Sequence, residues 1–283
     1  MSLNIYSIHN QPKFNKPIYL IGAFESFHLG HYLLYLKALE LKETEPDRDI
    51  VLVYFADCEN LPKLNPNLFT DEDFRLQVFA NLDFKYACRL EFKNLHNQEA
   101  QVFLDTLFSN QEDFSIVVGQ DFRFGKQARG NIDWLKQKYS TYVVEPLKLP
   151  NGNKLSTSFL KDLINLGELD LVNSYLKFDY GFSAKFIKNQ NENVLLKHSD
   201  QIIALPDAYY VAYLELNEII YRGLLTVQNS ILEFHAIDIK FKESINENCK
   251  IYIKNKIKSI QAGEIKKNDE MLKIAKKYFL KNI

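Results

Sequence analysis

Two histidines three residues apart follow an apolar segment that ends at Gly22. His28 and His31 stand where a helix is predicted to begin, with Gly30 between them. Backbone N–H groups at a helix N-terminus carry positive partial charge and attract anions. Residues three apart at such a terminus project to the same side, so both imidazoles can donate hydrogen bonds to phosphate oxygens. Two incidental capping histidines would not explain the flanking glycines, so the pattern predicts a phosphate-binding site.

A second group of chemically useful side chains follows the apolar segment 115–119. Its members are Asp121, Phe122, Arg123 and Phe124, with Gly125 and Gly130 after them. The phenylalanines offer apolar ring surface, the carboxylate can accept from the polar edge of a heterocycle, and the guanidinium can meet an anion. The alternative for the same residues is that both phenylalanines belong to the core and the arginine is a surface charge.

A third group opens the predicted helix 156–166. Ser156 and Thr157 can cap this helix, and their hydroxyls could also hold a triphosphate. Lys161, one turn further on, can neutralise charge that develops on a departing phosphate group, as a point charge. The alternative is that Ser156 only caps the helix and Lys161 is an ordinary surface lysine.

These three segments resemble the signatures of the nucleotidylyltransferase superfamily, and in particular those of the bacterial FAD synthetases. The first resembles GxFDxxHxGH, although Glu25 replaces the expected Asp and Ser26 the expected Gly. The second resembles GxDFxFGxxxxG. The third resembles ISSTxIR, with Ser158 in place of Thr and Lys161 in place of Arg.

The resemblance implies a role for each matching position. It implies that His28, His31 and Lys161 are catalytic. The implied ATP-binding residues are Gly22, Phe24, Glu25, Gly30, Ser156 and Thr157, and the implied flavin-binding residues are Asp121, Phe122, Arg123 and Phe124.

The implied reaction transfers AMP from ATP to FMN, which gives FAD and pyrophosphate with Mg²⁺ as cofactor. No strong base is needed, because the attacking FMN phosphate is already an anion. Three alternatives stay open. The chain could also phosphorylate riboflavin to FMN, it could adenylylate another phosphorylated acceptor, or it could be a non-catalytic flavin or nucleic-acid binding module.

The elements that must position these residues alternate between strand and helix over residues 17–176. Apolar runs predict strands at 17–22, 50–55, 86–92, 115–119 and 141–144, and helical periods lie between them at 31–42, 70–81, 97–108, 131–139 and 156–166. Thr70 with Asp73 predicts a capping box at the second helix. This alternation predicts a Rossmann-like α/β fold with a parallel sheet that binds ligands beyond the carboxyl ends of its strands.

After residue 176 strand-like runs follow one another, which predicts an antiparallel β-barrel closed by a helix near 268–280. The polar stretch 189–201 is predicted to be a loop or hairpin. The pattern predicts two domains, and the resemblance to the FAD synthetases implies that 1–180 carries adenylyl transfer and that 181–283 is a riboflavin-kinase-like barrel. Glu233, in a Glu-x-His context, resembles the base of that kinase, and the alternative is a strand residue facing water. The glycine-rich kinase loop is missing, since no glycine lies between Phe182 and Tyr209, so the kinase is expected to be degenerate.

The 283 residues are 46% hydrophobic and contain 35 basic and 36 acidic side chains, a composition that excludes disordered and disulfide-framework classes. No apolar run is long enough for a membrane span and no signal peptide is evident, so a cytoplasmic protein without a membrane partner is expected. Residues 241–283 carry 11 lysines against five acidic residues. Because these lysines alternate with isoleucines, a solvated strand face is favoured and no nucleic-acid partner is expected.

Overall fold

The fold is a computed structural model that describes the chain except residues 1, 63–66, 191–192, 238, 240, 242–246, 262, 266 and 282–283. Its contacts divide the chain into two compact units. The first consists of Met1–Pro66 and Arg75–Ser156, and the second of Asn67–Phe74 and Thr157–Ile283. No helix within the described residues is long and apolar enough to cross a membrane.

The first unit is built on a six-stranded sheet in which every pairing is parallel. Its strands are β1 (Asn4–Ser7), β2 (Ile18–Ile21), β3 (Ile50–Phe55), β4 (Tyr86–Leu90), β5 (Ser115–Gly119) and β6 (Thr141–Val144). The central strands are buried almost without interruption, as expected where both faces of a parallel sheet are covered. The predicted Rossmann-like sheet is therefore confirmed.

The order of the strands fixes where this sheet can bind a ligand. The order is β1-β4-β3-β2-β5-β6, so the chain runs outward from β2 to β4 and then returns to the other side of β2. A doubly wound sheet binds ligands in the crevice outside the carboxyl ends of its strands, where this reversal occurs. Gly22 follows β2 and Asp121 follows β5, so both predicted motifs lie at that edge.

Helices connect the strands of the sheet close to the predicted positions. They are α1 (Leu29–Thr44), α2 (Glu72–Asn81), α3 (Phe92–Leu95), α4 (Ala100–Leu107) and α5 (Ile132–Lys138). The predicted strand 86–92 ends two residues early, because Phe92 already opens α3. The Asp57 carboxylate accepts from the backbone N–H of Phe92 at 2.6 Å and of Lys93 at 3.0 Å, which satisfies two donors of that short helix.

The second unit contains a closed antiparallel barrel, as predicted. Its strands are β7 (Gly181–Gln190), β8 (Asn193–Lys197), β9 (Ala208–Leu216), β10 (Ile219–Gln228), β11 (Ile231–Ala236) and β12 (Asn248–Ser259), in the order β10-β11-β8-β7-β12-β9. The helices of this unit are α6 (Thr157–Leu166), α7 (Leu169–Ser174) and α8 (Asn268–Lys281). Helix α8 packs an apolar stripe on the outer face of β9 and β10.

The predicted capping box at α2 is wrong in its cap residue. Asp71 caps the helix, since its carboxylate accepts from the N–H of Phe74 at 2.9 Å. The Thr70 hydroxyl instead donates to the carbonyl of Gly181 at 2.6 Å. The second oxygen of Asp71 accepts from the N–H of Ser183 at 2.7 Å. Residues 70 and 71 therefore serve the start of β7 as well as the helix.

The segment that takes the place of the glycine-rich kinase loop is part of the barrel framework. Strand β8 pairs with both β7 and β11, and residues 191–192 of the predicted polar stretch lie outside the described residues. Beyond β8, Leu68 donates to Gln201 at 2.7 Å and accepts from Ile203 at 2.8 Å. Ile202 and Ile203 are buried. This segment thus supplies strand pairing and apolar packing.

Candidate functional site

The histidine pair is assembled at the start of α1. His28 is the N-cap residue, and its Nδ1 atom accepts from the backbone N–H of His31 at 3.3 Å. The two imidazole rings stack with centroids 3.9 Å apart and an interplanar angle of 10°. A Cβ atom on Gly30 would lie 2.9 Å from Cε1 of His28, so a glycine leaves room for this ring. The pair therefore faces one side of the helix N-terminus.

The loop before the histidines has an unusual backbone. Phe24 and Phe27 have φ values of 49° and 35°, which are rare for bulky residues and mark strain held by the surrounding fold. Their buried rings lie 5.5 Å apart, and the Phe24 ring meets His31 edge-on at 5.1 Å. A Cβ atom on Gly22 would lie 3.0 Å from the Phe24 ring. The motif's glycine thus admits a phenylalanine that supports the second histidine.

Two further residues of this motif are buried. Glu25 is 1% exposed and Ser26 is 8% exposed. The two residues that depart from the family signature are therefore buried within the loop at the carboxyl edge of the sheet.

Burial lowers the pKa of His28 to about 4, and the positive charge of Lys154 lowers it further by a smaller amount. A backbone hydrogen bond and the negative charge of Asp121 act in the opposite direction but do not cancel the effect of burial. The ring is therefore neutral near pH 7. Because Nδ1 accepts a hydrogen bond, the single proton resides on Nε2. His28 can then donate from Nε2 to an oxygen anion.

The loop after β5 divides its aromatic residues between core and edge. Phe124 is buried beside Trp134 and Phe103, with ring centroids 5.6 and 6.3 Å away. Phe122 is half-buried and stacks on Phe124 at 5.5 Å and 19°. Arg123 is exposed. Phe124 therefore forms the base of the loop, and Phe122 is the ring nearer to solvent.

Two glycines allow this packing. A Cβ atom on Gly130 would lie 2.6 Å from the ring of Phe124, and the two residues exchange backbone hydrogen bonds. Gly125 has a φ of 72°, and a Cβ atom there would lie 2.6 Å from the backbone of Ala100. Gly119 differs, because a Cβ atom there would make only ordinary contact with Asp121.

The Asp121 carboxylate is paired with the ammonium group of Lys154. Both side chains are more than half exposed, so the pair sits at the surface of the sheet's carboxyl edge. The charges of both residues affect the pKa of His28. This indicates that the Asp121 motif lies near the histidine motif. Sequence patterns did not single out Lys154, because its partner lies 33 residues away in the chain.

The third predicted motif crosses the division between the units. Ser156 is the last residue of the second segment of the first unit, whereas Thr157 and Lys161 belong to α6 in the second unit. Both hydroxyl residues are partly exposed, and Lys161 is buried at 2% exposure. The alternative of an ordinary surface lysine at this position is wrong.

In the barrel, Glu233 lies in β11 opposite Thr226 of β10, and His235 lies opposite Leu224. Directly paired residues share a face of the sheet, so both side chains lie on the outer face on which α8 packs. The Glu233 carboxylate is 3.8 Å from Nε2 of His235, and its side chain is 13% exposed. The alternative of a strand residue facing water is wrong. A cavity of about 310 Å³ on this unit has a described lining of Ile220, Tyr221, Arg222, Ala236 and Ile239, without Glu233.

The described part of the chain contains no group of three or more His, Cys, Asp or Glu side chains that could hold a metal ion. Mg²⁺ is commonly held by one or two carboxylates together with substrate phosphates and water. An ion held in this way would need no such group among the described residues.

Comparison with known proteins places these features in a family. A relative from Buchnera aphidicola subsp. Acyrthosiphon pisum, named bifunctional riboflavin kinase/FMN adenylyltransferase, is 25% identical over 97% of each chain. A Mycoplasma pneumoniae protein of the same name is 28% identical over 57% of this chain and 54% of its own length. A solved structure from Streptococcus pneumoniae, described as a macrolide-efflux protein, aligns over 98% of both chains with a TM-score of 0.80 at 18% identity, a likeness that concerns the fold alone.

The family model described as FAD synthetase matches residues 10–158, which include the histidine motif, the loop after β5 and Ser156 with Thr157. The match spans more than half of the chain and coincides with the residues whose geometry is given above. The chain therefore belongs to the FAD synthetase family.

Proposed function

We propose that this protein is an FMN adenylyltransferase, which joins the AMP portion of ATP to FMN and releases pyrophosphate. An oxygen of the FMN phosphate forms a bond to the α-phosphorus of ATP, and the bond from that phosphorus to the bridging oxygen of the β-phosphate breaks. Pyrophosphate leaves with that bridging oxygen. Family membership and the histidine pair at the N-terminus of α1 support this reaction.

The catalytic contribution of the chain is alignment and charge neutralisation. His28 donates from Nε2, since its Nδ1 accepts from the N–H of His31. His31 lies on the same side and is supported by the Phe24 ring. The helix N-terminus adds positive partial charge at the same place. In this proposal Lys161 neutralises the leaving pyrophosphate.

ATP and the flavin are assigned different residues of the chain. Gly22, Phe24, Glu25 and Gly30, with Ser156 and Thr157, serve ATP. Phe122 supplies the flavin ring with an apolar surface because it is the half-buried member of the stacked pair. Phe124 holds it from below, and Asp121 and Arg123 provide polar groups at the rim.

A Mg²⁺ ion bound with ATP would neutralise charge on the phosphate oxygens. We assign no carboxylate of this chain as its fixed ligand. Residues 1–180 are proposed to carry adenylyl transfer, and residues 181–283 to form a barrel whose kinase chemistry is degraded.

The observation that carries the proposal is the stacked pair of His28 and His31 at the topological switch point of a parallel sheet. The test incubates purified protein with Mg-ATP and either riboflavin or FMN and resolves the flavins chromatographically. FAD and pyrophosphate are expected from FMN. If FMN binds no better than riboflavin and yields no FAD, the acceptor is another phosphorylated compound or the chain is not an adenylyltransferase.

Riboflavin kinase activity is the second candidate, and Glu233 is the observation that favours it. The carboxylate is held beside His235 in the barrel, and the Buchnera relative named as bifunctional aligns over the full length. Against it, the segment 193–206 is strand and packed chain where a phosphate-binding loop is expected. FMN formed from riboflavin in the same assay would establish the kinase.

A nucleic-acid role for the lysine-rich strand β12 has little support. Lys254 pairs with Asp179 at 2.7 Å and Lys258 with Glu264 at 3.1 Å, and Lys250 has Glu215 at 3.9 Å. Nucleic-acid binding draws its affinity from lysines that neutralise phosphates and so release the counterions condensed on the nucleic acid. Here carboxylates of the same unit already neutralise these charges.

A further inference from the structure

A short hairpin, residues 147–155, follows β6 at the carboxyl edge of the sheet. The N–H of Leu155 donates to the carbonyl of Leu147 at 2.8 Å. The N–H of Leu149 donates to the carbonyl of Asn153 at 2.7 Å. Lys148 and Lys154 lie directly opposite each other between these two bonds. In an antiparallel hairpin this is the non-hydrogen-bonded position, where opposing side chains are closest and share a face. The hairpin therefore presents two ammonium groups from one face.

The other face of the hairpin fixes it to the first unit. Leu149 and Leu155 are buried, whereas both lysines are exposed. A Cβ atom on Gly30 would lie 3.9 Å from Cβ of Leu147, so the hairpin passes beside the start of α1. The two lysines are thus carried by an anchored element next to the histidine motif.

The lysine pair is unfavourable for the hairpin on its own. Like charges directly opposite on a sheet repel, and one carboxylate, that of Asp121, pairs with Lys154. Lys148 has no ion-pair partner within the described part of the chain. The arrangement becomes favourable when an anion with more than one negative charge lies between the two ammonium groups.

We propose that Lys148 and Lys154 form a second phosphate-binding site, which takes a phosphate group of a substrate, and that Asp121 pairs with Lys154 until the substrate phosphate displaces it. This inference rests on the proposed adenylyl transfer. The two sources of such a group are the triphosphate of ATP and the phosphomonoester of FMN. The Lys154 charge acts on His28, which is consistent with a location beside the reacting phosphates.

The test measures binding without turnover, by calorimetry, with three separate probes: inorganic pyrophosphate, ATP alone and FMN alone. Lys148→Gln and Lys154→Gln are each expected to weaken binding of pyrophosphate roughly tenfold, the scale of one charge-assisted hydrogen bond. Weakening of ATP alone identifies the triphosphate as the ligand, and weakening of FMN alone identifies the phosphomonoester. Both variants binding all three probes within about twofold of the parent protein would overturn the proposal.

Lys13→Gln is the matched control, because Lys13 is an exposed lysine paired with Glu112 that precedes β2 at the opposite edge of the sheet. It should leave the binding of all probes unchanged. Asp121→Asn should tighten pyrophosphate binding, because Lys154 is then free to bind the anion. If the ion pair were purely structural, Asp121→Asn would instead weaken binding, as Lys154→Gln does. Lys148→Gln should leave the melting temperature unchanged or raise it, because a repulsion is removed.

Turnover is measured separately with ATP and FMN in the parent protein. If the parent forms FAD and the lysine variants bind normally, the second site is refuted and the adenylyltransferase stands. If the parent forms no FAD but pyrophosphate binding depends on both lysines, the second site stands and the proposed reaction fails.

Discussion

The sheet unit and the barrel unit place their unusual backbone conformations in different locations. In the barrel, positive φ values occur in pairs at two-residue turns, with Asn217 and Glu218 between β9 and β10 and Asn229 and Ser230 between β10 and β11. Such turns match the twist of the strands that they join. In the sheet unit, the non-glycine residues with positive φ include Phe24 and Phe27 beside the histidine pair, and the others are Lys16, Asp83, Gln127 and Ala128.

The glycines show the same contrast. In the barrel, Cβ atoms on Gly181 and Gly223 would lie 2.1 and 2.4 Å from carbonyl oxygens of neighbouring strands. In the sheet unit, Cβ atoms on Gly22, Gly30 and Gly130 would meet the rings of Phe24, His28 and Phe124. One unit uses glycine to pair strands, and the other uses it to set side chains at the ligand edge. The glycines of the sheet unit thus make room for residues of the predicted site, and those of the barrel make room for neighbouring strands.

The largest expected effect separates the two units by their reacting residues. His31→Ala should lower FAD formation at least about a hundredfold, the scale of one lost transition-state donor. Glu233→Gln, in the barrel, should leave FAD formation unchanged. Initial rates with saturating ATP and FMN decide this. Near-parental turnover of the His31 variant, or an equal loss in the Glu233 variant, would remove the distinction between the units.

The second effect concerns the buried neutral ring of His28. Its pKa is about 4 in the folded chain, against about 6.5 when unfolded. Between these values the unfolded chain binds a proton that the folded chain does not, so stability falls as the pH falls from about 6.5 to 4. Relative to His28→Asn, whose amide can still cap α1, the parent should lose about 3 kcal/mol over this window. Urea unfolding at several pH values measures the difference, and parallel pH profiles for the two proteins would contradict it.

The third prediction exchanges glycine for alanine in each unit. Gly223→Ala should lower the free energy of unfolding by about 1–3 kcal/mol, because its new Cβ meets backbone and the Phe234 ring. The folded fraction should still form FAD normally. Gly130→Ala should displace the Phe124 ring and with it Phe122, which raises the KM for FMN severalfold. Steady-state kinetics and melting curves of both variants test this difference between the units. A Gly130 variant that loses stability with an unchanged KM for FMN would contradict it.

The smallest effect tests the corrected helix cap. Asp71→Ala should destabilise the protein by about 1 kcal/mol through loss of the bond to the N–H of Phe74. Asp73→Ala, two residues further on, leaves the bond between Asp71 and the N–H of Phe74 intact and serves as the control. Denaturant unfolding compares the two. A larger loss for Asp73→Ala would restore the capping box that the sequence pattern predicts.

Strong apolar periodicity made most of the fold predictable, including the sheet, the barrel and α8. Strand β1 was not predicted, because its four residues are mainly exposed and carry no apolar run. Helix α3 was not predicted, since its stabilising Asp57 comes from a distant loop. The cap of α2 was misassigned because Thr70 bonds to Gly181, 111 residues away. The failures at α3 and at the cap of α2 share one physical cause, a polar contact between residues far apart in the chain.

The candidate site also contains features that the sequence predicts and features that it does not. His28, His31 and their glycines form a local motif, so spacing alone indicates their joint geometry. The pairing of Asp121 with Lys154 depends on two loops that meet at the sheet edge, which a linear pattern does not encode. For Phe122 and Phe124 sequence allowed either core or ligand surface. The structure buries Phe124 and leaves Phe122 half-buried and stacked on it.

The most direct test of the central claim follows one phosphate. The protein is incubated with FMN and ATP that carries a label on the α-phosphate, and the flavins are separated chromatographically, with His31→Ala as the inactive control. We expect that the label enters FAD, that unlabelled pyrophosphate is released in equal amount, and that the His31 variant forms little labelled flavin. Label that stays in ATP or appears only as free AMP would contradict the claim that this protein transfers adenylyl groups to FMN.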